Sequence, residues 1–206
     1  MRSIRRKQRR GNTLIEFALV SVFLVPLLIG TINIGMRLSH TIQTTQVSRD
    51  AGHMFVRQVD FSLLPNQDII VRVAQGLGMT RTGGDGVVIL TKIMYIGQNE
   101  CTAGGLTLGE CTNYQNPVIT QRIVIGNVSQ RASDFGTPPS NLVASDGNVA
   151  MNDYLTNPAV RATNFGNVLV MQPAELAYVS EAYFATPNWD FPTTWVGTGT
   201  YARTIY

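Results

Sequence analysis

The sequence predicts an α+β protein in which a long N-terminal helix, transmembrane in its first half and amphipathic in its second, packs on an antiparallel β-sheet ectodomain. Three observations predict it. From Asn12 to Met36 only one residue, Glu16, is charged. Beyond Met36 apolar residues keep recurring every fourth position as far as Val59, the period of one helix face. From residue 86 onward the apolar residues come instead in short β-branched and aromatic runs, parted by Gly, Asn and Pro turn signals.

The charges are unevenly placed. Arg2, Arg5, Arg6, Lys7, Arg9 and Arg10 make up six of the 16 basic residues, and all 13 acidic residues follow Gly11. The formal charge of +3 therefore belongs to a basic leader, residues 1–11; from Asn12 on, ten basic residues stand against 13 acidic ones. Those ten are scattered singly, without the basic stripe that tracks a nucleic-acid backbone, so nucleic acid is not an expected partner.

Residues 12–36 read as a transmembrane helix. At about 1.5 Å per residue they reach roughly 37 Å, enough to cross a hydrocarbon core about 30 Å thick with some tilt. The stretch is longer than the apolar core of a usual signal peptide, and its exit, GMRLSH, carries no small-residue cleavage site, so the anchor is expected to stay on the ectodomain. Six basic residues precede the span and only Arg37 and Arg49 lie close behind it, which orients the N-terminus to the cytoplasm. Residues 37–206 are then a periplasmic or surface-exposed domain on a bacterial inner membrane. Pro26, with Gly30 and Gly35 behind it, reads either as a tolerated kink or as a soft point where the helix bends on repacking.

Glu16 needs an explanation. One reading is that it snorkels to the headgroups, about 9 Å along the helix from Arg10, at little cost. Deeper in the bilayer a carboxylate costs about 2.5 to 3.5 kcal/mol. The other reading starts from the order of residues: a basic block, Gly11, four residues, Glu16, Phe17, then a long apolar helix. A cut after Gly11 removes the positive block and creates an α-amino group on Asn12. That amine and the Glu16 carboxylate lie four residues apart on a helix, and between packed subunits one can neutralise the other. In a low-dielectric setting this fixes axial register, because an unpaired charge is costly.

The segment Gly11-Asn12-Thr13-Leu14-Ile15-Glu16-Phe17 resembles the processing site of type IV prepilins, a Gly followed by four residues and then Glu-Phe. More closely, RRGNTLIEFALVSVFLVPLLIGTINIG is similar to the opening of the TadE-like family, minor pilins or pseudopilins of tight-adherence (Tad) pilus systems. Glu16, Phe17, Ala18 and Leu19 match that opening. QPAELAYVSEAYFATP (172–187) resembles the family's late strand through Glu175, Tyr178, Val179, Glu181, Tyr183 and Phe184, with Ala174 where the family usually has Gly. The likeness covers about the first 60 residues well and 170–187 loosely; Asn12 departs from the Phe or Met that opens many mature type IV pilins. The resemblance implies processing between Gly11 and Asn12 by a prepilin peptidase, a register role for Glu16 with Phe17 beside it, and partners among other pilins, pseudopilins and the Tad assembly machinery.

After the span one helix is expected from about 12 to 60, with Ile34, Leu38 and Ile42, then Val47, Ala51, Phe55 and Val59, forming its stripe, and Gly52 its weak point. Pro65 and Asn66 restart a shorter helix, capped by Asn66, faced by Ile69, Ile70, Val73, Ala74 and Leu77, and ended by Gly78. Strands are expected at 86–97 and 118–126, pairing as a hairpin with a long loop, and at 165–172, 175–186 and 200–206. Residues 132–166, rich in Ser, Asn, Asp, Gly and Pro, read as a surface excursion with a short helix near 151–156. Trp189, Phe191 and Trp195, with two prolines, form either a core plug or an exposed contact loop.

Cys101 and Cys111, the only cysteines, sit at the base of the Gly-rich hairpin loop. On the oxidising side of a membrane they are expected to form a disulfide. Two thiolates with no neighbouring His fall short of a zinc shell, and the spacing excludes a catalytic C-x-x-C pair. His40 and His53 both lie on the helix. No nucleophile elbow, zincin or Walker motif occurs, GLGMTR (76–81) breaks the dinucleotide pattern at Arg81, and Asp134, Asp146 and Asp153 fit no calcium loop. No catalytic set, metal or cofactor is expected, and the chain is not read as an enzyme. Two functions are left: a structural subunit, a minor pseudopilin docked through its N-terminal helix, or an unprocessed, single-pass anchored periplasmic binding module.

Overall fold

The computed structural model describes residues 12–186 and 199–206, with side chains from Leu14 onward. The basic leader with Gly11, and the Trp189–Trp195 segment, lie outside the described residues. The chain divides into two compact units, with the boundary between Ser39 and His40.

The β-branched runs form one antiparallel sheet of four strands, β1 (Gly86–Tyr95), β2 (Pro117–Gly126), β3 (Leu176–Ala185) and β4 (Gly199–Ile205), in the order β2-β1-β3-β4. The expected hairpin of the first two runs is present, from Val87 opposite Gly126 to Tyr95 opposite Pro117. A register shift between Lys92 and Ile93 leaves Thr120 as the extra residue on β2. Successive residues of β1 and of β3 are buried with little alternation, so both faces of these two strands are covered, and they lie at the centre.

Helix α1 (Asn12–Val56) covers one face through its second half. Thr44, Val47, Ser48, Ala51 and Phe55 are buried, spaced as one helical face. Small residues let the backbones approach: Ser48 Oγ donates to the Ser180 carbonyl at 3.1 Å and lies 3.2 Å from Thr204 Oγ1. Gly52, read as a weak point, is a notch, since a Cβ there would stand 2.5 Å from the Tyr206 ring. The earlier part of the stripe is not buried: Ile34, Leu38 and Ile42 are exposed. Nor does the helix reach residue 60. Val59 N–H bonds the Met54 carbonyl and Gln58 N–H the Phe55 carbonyl, with Gln58 left-handed at φ 62°. This is the Schellman closure usually made by Gly, here made by Gln, so no residue type announced it.

The second helix, α2 (Leu64–Val73), packs on the same face through Ile70, followed by Ala74 and Leu77. Ile69 and Val73, expected on that face, are 43% and 46% exposed. Asn66 is not the cap. Leu63 occupies that position without a side-chain bond, while Asn66 Nδ2 reaches back to the Asp60 carbonyl at 2.6 Å and Gln67 Nε2 to that of Phe61 at 2.8 Å. The preceding turn is tied down by amide side chains inside the helix instead. Gly78 does stop the segment, at φ 74°.

The opposite face is covered by residues 127–171. They are more than a surface excursion: Phe135, Ala162, Phe165 and Met171 pack with Ile93, Ile119, Ala177 and Val179 into a second core. The short helix is present as α4 (Met151–Thr156), after an unforeseen α3 (Gln98–Ala103) in the hairpin loop. Residues 165–172 form no strand. A 3-10 turn at Phe165–Asn167 buries Phe165, and the chain then runs irregularly with Val170 82% exposed. Its apolar alternation comes from single anchors, Phe165 and Met171, rather than from a ladder.

Candidate functional site

In the unit that ends at Ser39, Asn12 opens α1, one residue beyond Gly11. Asn12 and Glu16 share a helix face by their spacing of four. From Leu14 to Met36 the large apolar side chains other than Ile29 are exposed, Phe17 among them at 71%. Among the described residues this is the one helix long and apolar enough to cross a membrane. Its neutral polar side chains bond their own backbone: Ser21 Oγ to the Phe17 carbonyl, Thr31 Oγ1 to that of Leu28 and Asn33 Nδ2 to that of Ile29. Satisfied in this way, they lower the cost of a hydrocarbon surrounding. The helix runs unbroken through Pro26, whose missing N–H leaves the Val22 carbonyl without its helical donor.

In the second unit the two cysteines are joined: Cys101 and Cys111 form a disulfide with an S–S distance of 2.06 Å and Cα atoms 5.8 Å apart. Both are buried in a third core with Ile96, Val118, Val149, Leu155 and Val160, so the bridge holds the hairpin loop against α4. Asn113, wholly buried, completes the tie by donating to the carbonyls of Tyr154 and Asn157.

A buried polar cluster that the sequence reading did not find lies between β3, β4 and the covering segment. Glu181 is 2% exposed. Its Oε1 accepts from the Asp134 N–H at 3.0 Å and from the Tyr201 hydroxyl at 2.8 Å, and its Oε2 from the Ser133 hydroxyl. Arg122 on β2, 7% exposed, donates to the Gly136 carbonyl at 2.7 Å. Burial pushes the Arg122 guanidinium down to about 10, and the Glu181 carboxylate opposes that shift. Burial, and then Glu181, push the Tyr201 phenol well above its ordinary range. Arg131 stacks on the Tyr201 ring at 4.1 Å and pairs with Asp134 at 2.8 Å. The signal was present in the strand alternation: Glu181 falls on the inward face of β3 with Ala177 and Val179.

Asp134, Asp146 and Asp153 do not converge, and among the described residues no three His, Cys, Asp or Glu side chains are placed to hold a metal ion. A cavity of about 370 Å³ opens where α1 ends, between Gln58, Asp60, Lys92, Asp146 and Tyr178. His40 lies on α1 with its pKa lowered by burial, and His53 packs against the Tyr206 ring at 4.9 Å; neither lines that cavity.

The fold and these sites define a class: an α+β domain with a disulfide-closed loop, carrying an N-terminal helix compatible with a single-pass membrane anchor. Compared with family models, curated proteins and solved structures, the chain matches none.

Proposed function

We propose that this chain is a structural subunit, a minor pseudopilin of a Tad-type pilus or of its assembly apparatus, inserted with its N-terminus in the cytoplasm and cut after Gly11. One observation carries the reading. A continuous helix begins at Asn12 and, as far as Met36, bears a single carboxylate, Glu16, on a surface of mostly exposed apolar side chains. A lone anchor needs only apolar length. A carboxylate four residues from a potential new amine adds a means of setting register against a neighbouring subunit. The apolar exposure provides the packing surface, and the disulfide-closed domain suits an oxidising compartment. On this reading the partners are the inner membrane, a prepilin peptidase and other pilins or pseudopilins, and the chain does no chemistry of its own.

The test is the N-terminus of the membrane-extracted protein, by intact mass and terminal sequencing, with and without the cognate prepilin peptidase. A chain beginning at Asn12 only when the peptidase is present is the expected result. A chain that still begins at Met1 overturns the reading in favour of an unprocessed, anchored binding module.

A further inference from the structure

We infer that the cavity at the end of α1 binds a small zwitterion, an α-amino acid or its close equivalent, with Lys92 receiving the carboxylate and Asp60 and Asp146 receiving the ammonium group. The cavity lies wholly within the second unit, its volume of about 370 Å³ is within the range of small-molecule sites, and it does not depend on whether the chain is processed or assembled.

The charges carry the argument. Lys92, Asp60 and Asp146 line one cavity, yet the ion pairs among the described residues are Arg81–Asp68, Arg131–Asp134 and Arg203–Asp134. Charges of both signs thus face one space without neutralising each other. The Lys92 ammonium stands over the Tyr178 ring, 5.6 Å from its centroid, leaving its donors to the cavity. Asp60 holds its Oδ1 in bonds from the Ser62 N–H and hydroxyl, which fixes the carboxylate while Oδ2 stays available. Asp146 is fixed through both oxygens, Oδ1 accepting from the Asn148 N–H and Oδ2 from its side-chain amide. A single anion or cation would satisfy one sign and be repelled by the other; a molecule carrying both charges satisfies both.

Shape and setting agree. The floor is apolar, built from Phe55, Tyr178 and Ile123, with the Phe55 and Tyr178 rings edge-to-face at 5.4 Å. It suits an aliphatic side chain. Gln58, on the cavity wall, is held left-handed, a conformation that costs a non-Gly residue energy and that clusters at binding sites.

The test uses the full chain in detergent, titrated by calorimetry with L-leucine, N-acetyl-L-leucine and L-leucinamide. Leucine is expected to bind, and each analogue, lacking one charge, to bind roughly ten-fold or more weakly. Lys92→Met should abolish discrimination against leucinamide, and Asp60→Asn should weaken leucine while leaving the thermal midpoint of the free protein within a degree or two. No heat with leucine, equal binding of N-acetyl-leucine, or unchanged leucine affinity in both variants each overturns the proposal. A processed and assembled chain that fails this titration loses the site and keeps its structural role.

Discussion

Ala174 sits in a left-handed conformation, φ 67°, as the third residue of the turn Gln172-Pro173-Ala174-Glu175, closed by the Glu175 N–H to the Gln172 carbonyl. Pro before it presets the turn; a residue with a Cβ at the third position is strained. Ala174→Gly should therefore stabilise the domain by about 1 kcal/mol, read as a raised urea midpoint, because Gly relieves more strain than it adds chain entropy. Glu181 is the opposite case. Glu181→Leu removes the acceptor of three donors and strands the buried Arg122 charge, so a loss of about 3 to 5 kcal/mol is expected by the same measurement. The same cluster sets an alkaline limit. Tyr201 binds its proton more tightly folded than unfolded, so its contribution is whole below pH 10, the ordinary phenol value, and is lost as pH rises beyond it. Tyrosinate absorbance of Tyr201 should appear only together with the loss of circular dichroism; ionisation at pH 10 in a folded protein would contradict the buried hydrogen bond.

At the scale of elements, what was legible in the sequence was what periodicity or a turn signal could encode. The run from Asn12 through Phe55 is helical by spacing, and GVVILTKIMYIG and VITQRIVIG announce their strands and pairing. Stops made by tertiary geometry were silent. Gln58 closes α1 with no Gly to mark it, and Asn66, a good cap by type, spends its amide on the Asp60 carbonyl. The covering segment 127–171 has too little regular structure to show a period, so its core role rests on isolated anchors such as Phe135 and Phe165, whose rings meet edge-to-face at 5.0 Å. Of the candidate site residues, the cysteine pair was legible from compartment and loop composition, whereas the cavity was not, because Asp60, Lys92 and Asp146 come from three separate segments. The hairpin loop also yields a prediction. Opening the Cys101–Cys111 bridge frees a ten-residue closure, worth about 2 to 3 kcal/mol in the chain-entropy model. Denaturation with and without reductant should differ by that amount, and no free thiol should titrate in the oxidised protein.

For the molecule as a whole, the proposed role turns on one charge in the membrane-type segment. Glu16→Ala should leave insertion intact, since it removes a polar side chain from an apolar helix, yet impair assembly of the structure to which the subunit belongs. Membrane extraction and counts of surface pili measure the two separately, and normal piliation in the variant would remove the register role.

The seam between α1 and β4 has a consequence for synthesis. Ser48 meets Thr204 across 156 residues, and the Gly52 notch is filled by Tyr206. During translation at roughly 5 to 20 residues per second, the Ser48 and Gly52 seam of α1 waits about 10 to 30 s for the strand that closes it. Val47, Ala51 and Phe55 pack with the earlier elements, α2, β1, β2 and β3, whereas the Ser48 and Gly52 seam is closed by the final strand. Ribosome stalling late in the message, or a truncation before Gly199, should thus leave that seam open and send the chain to chaperones and proteases.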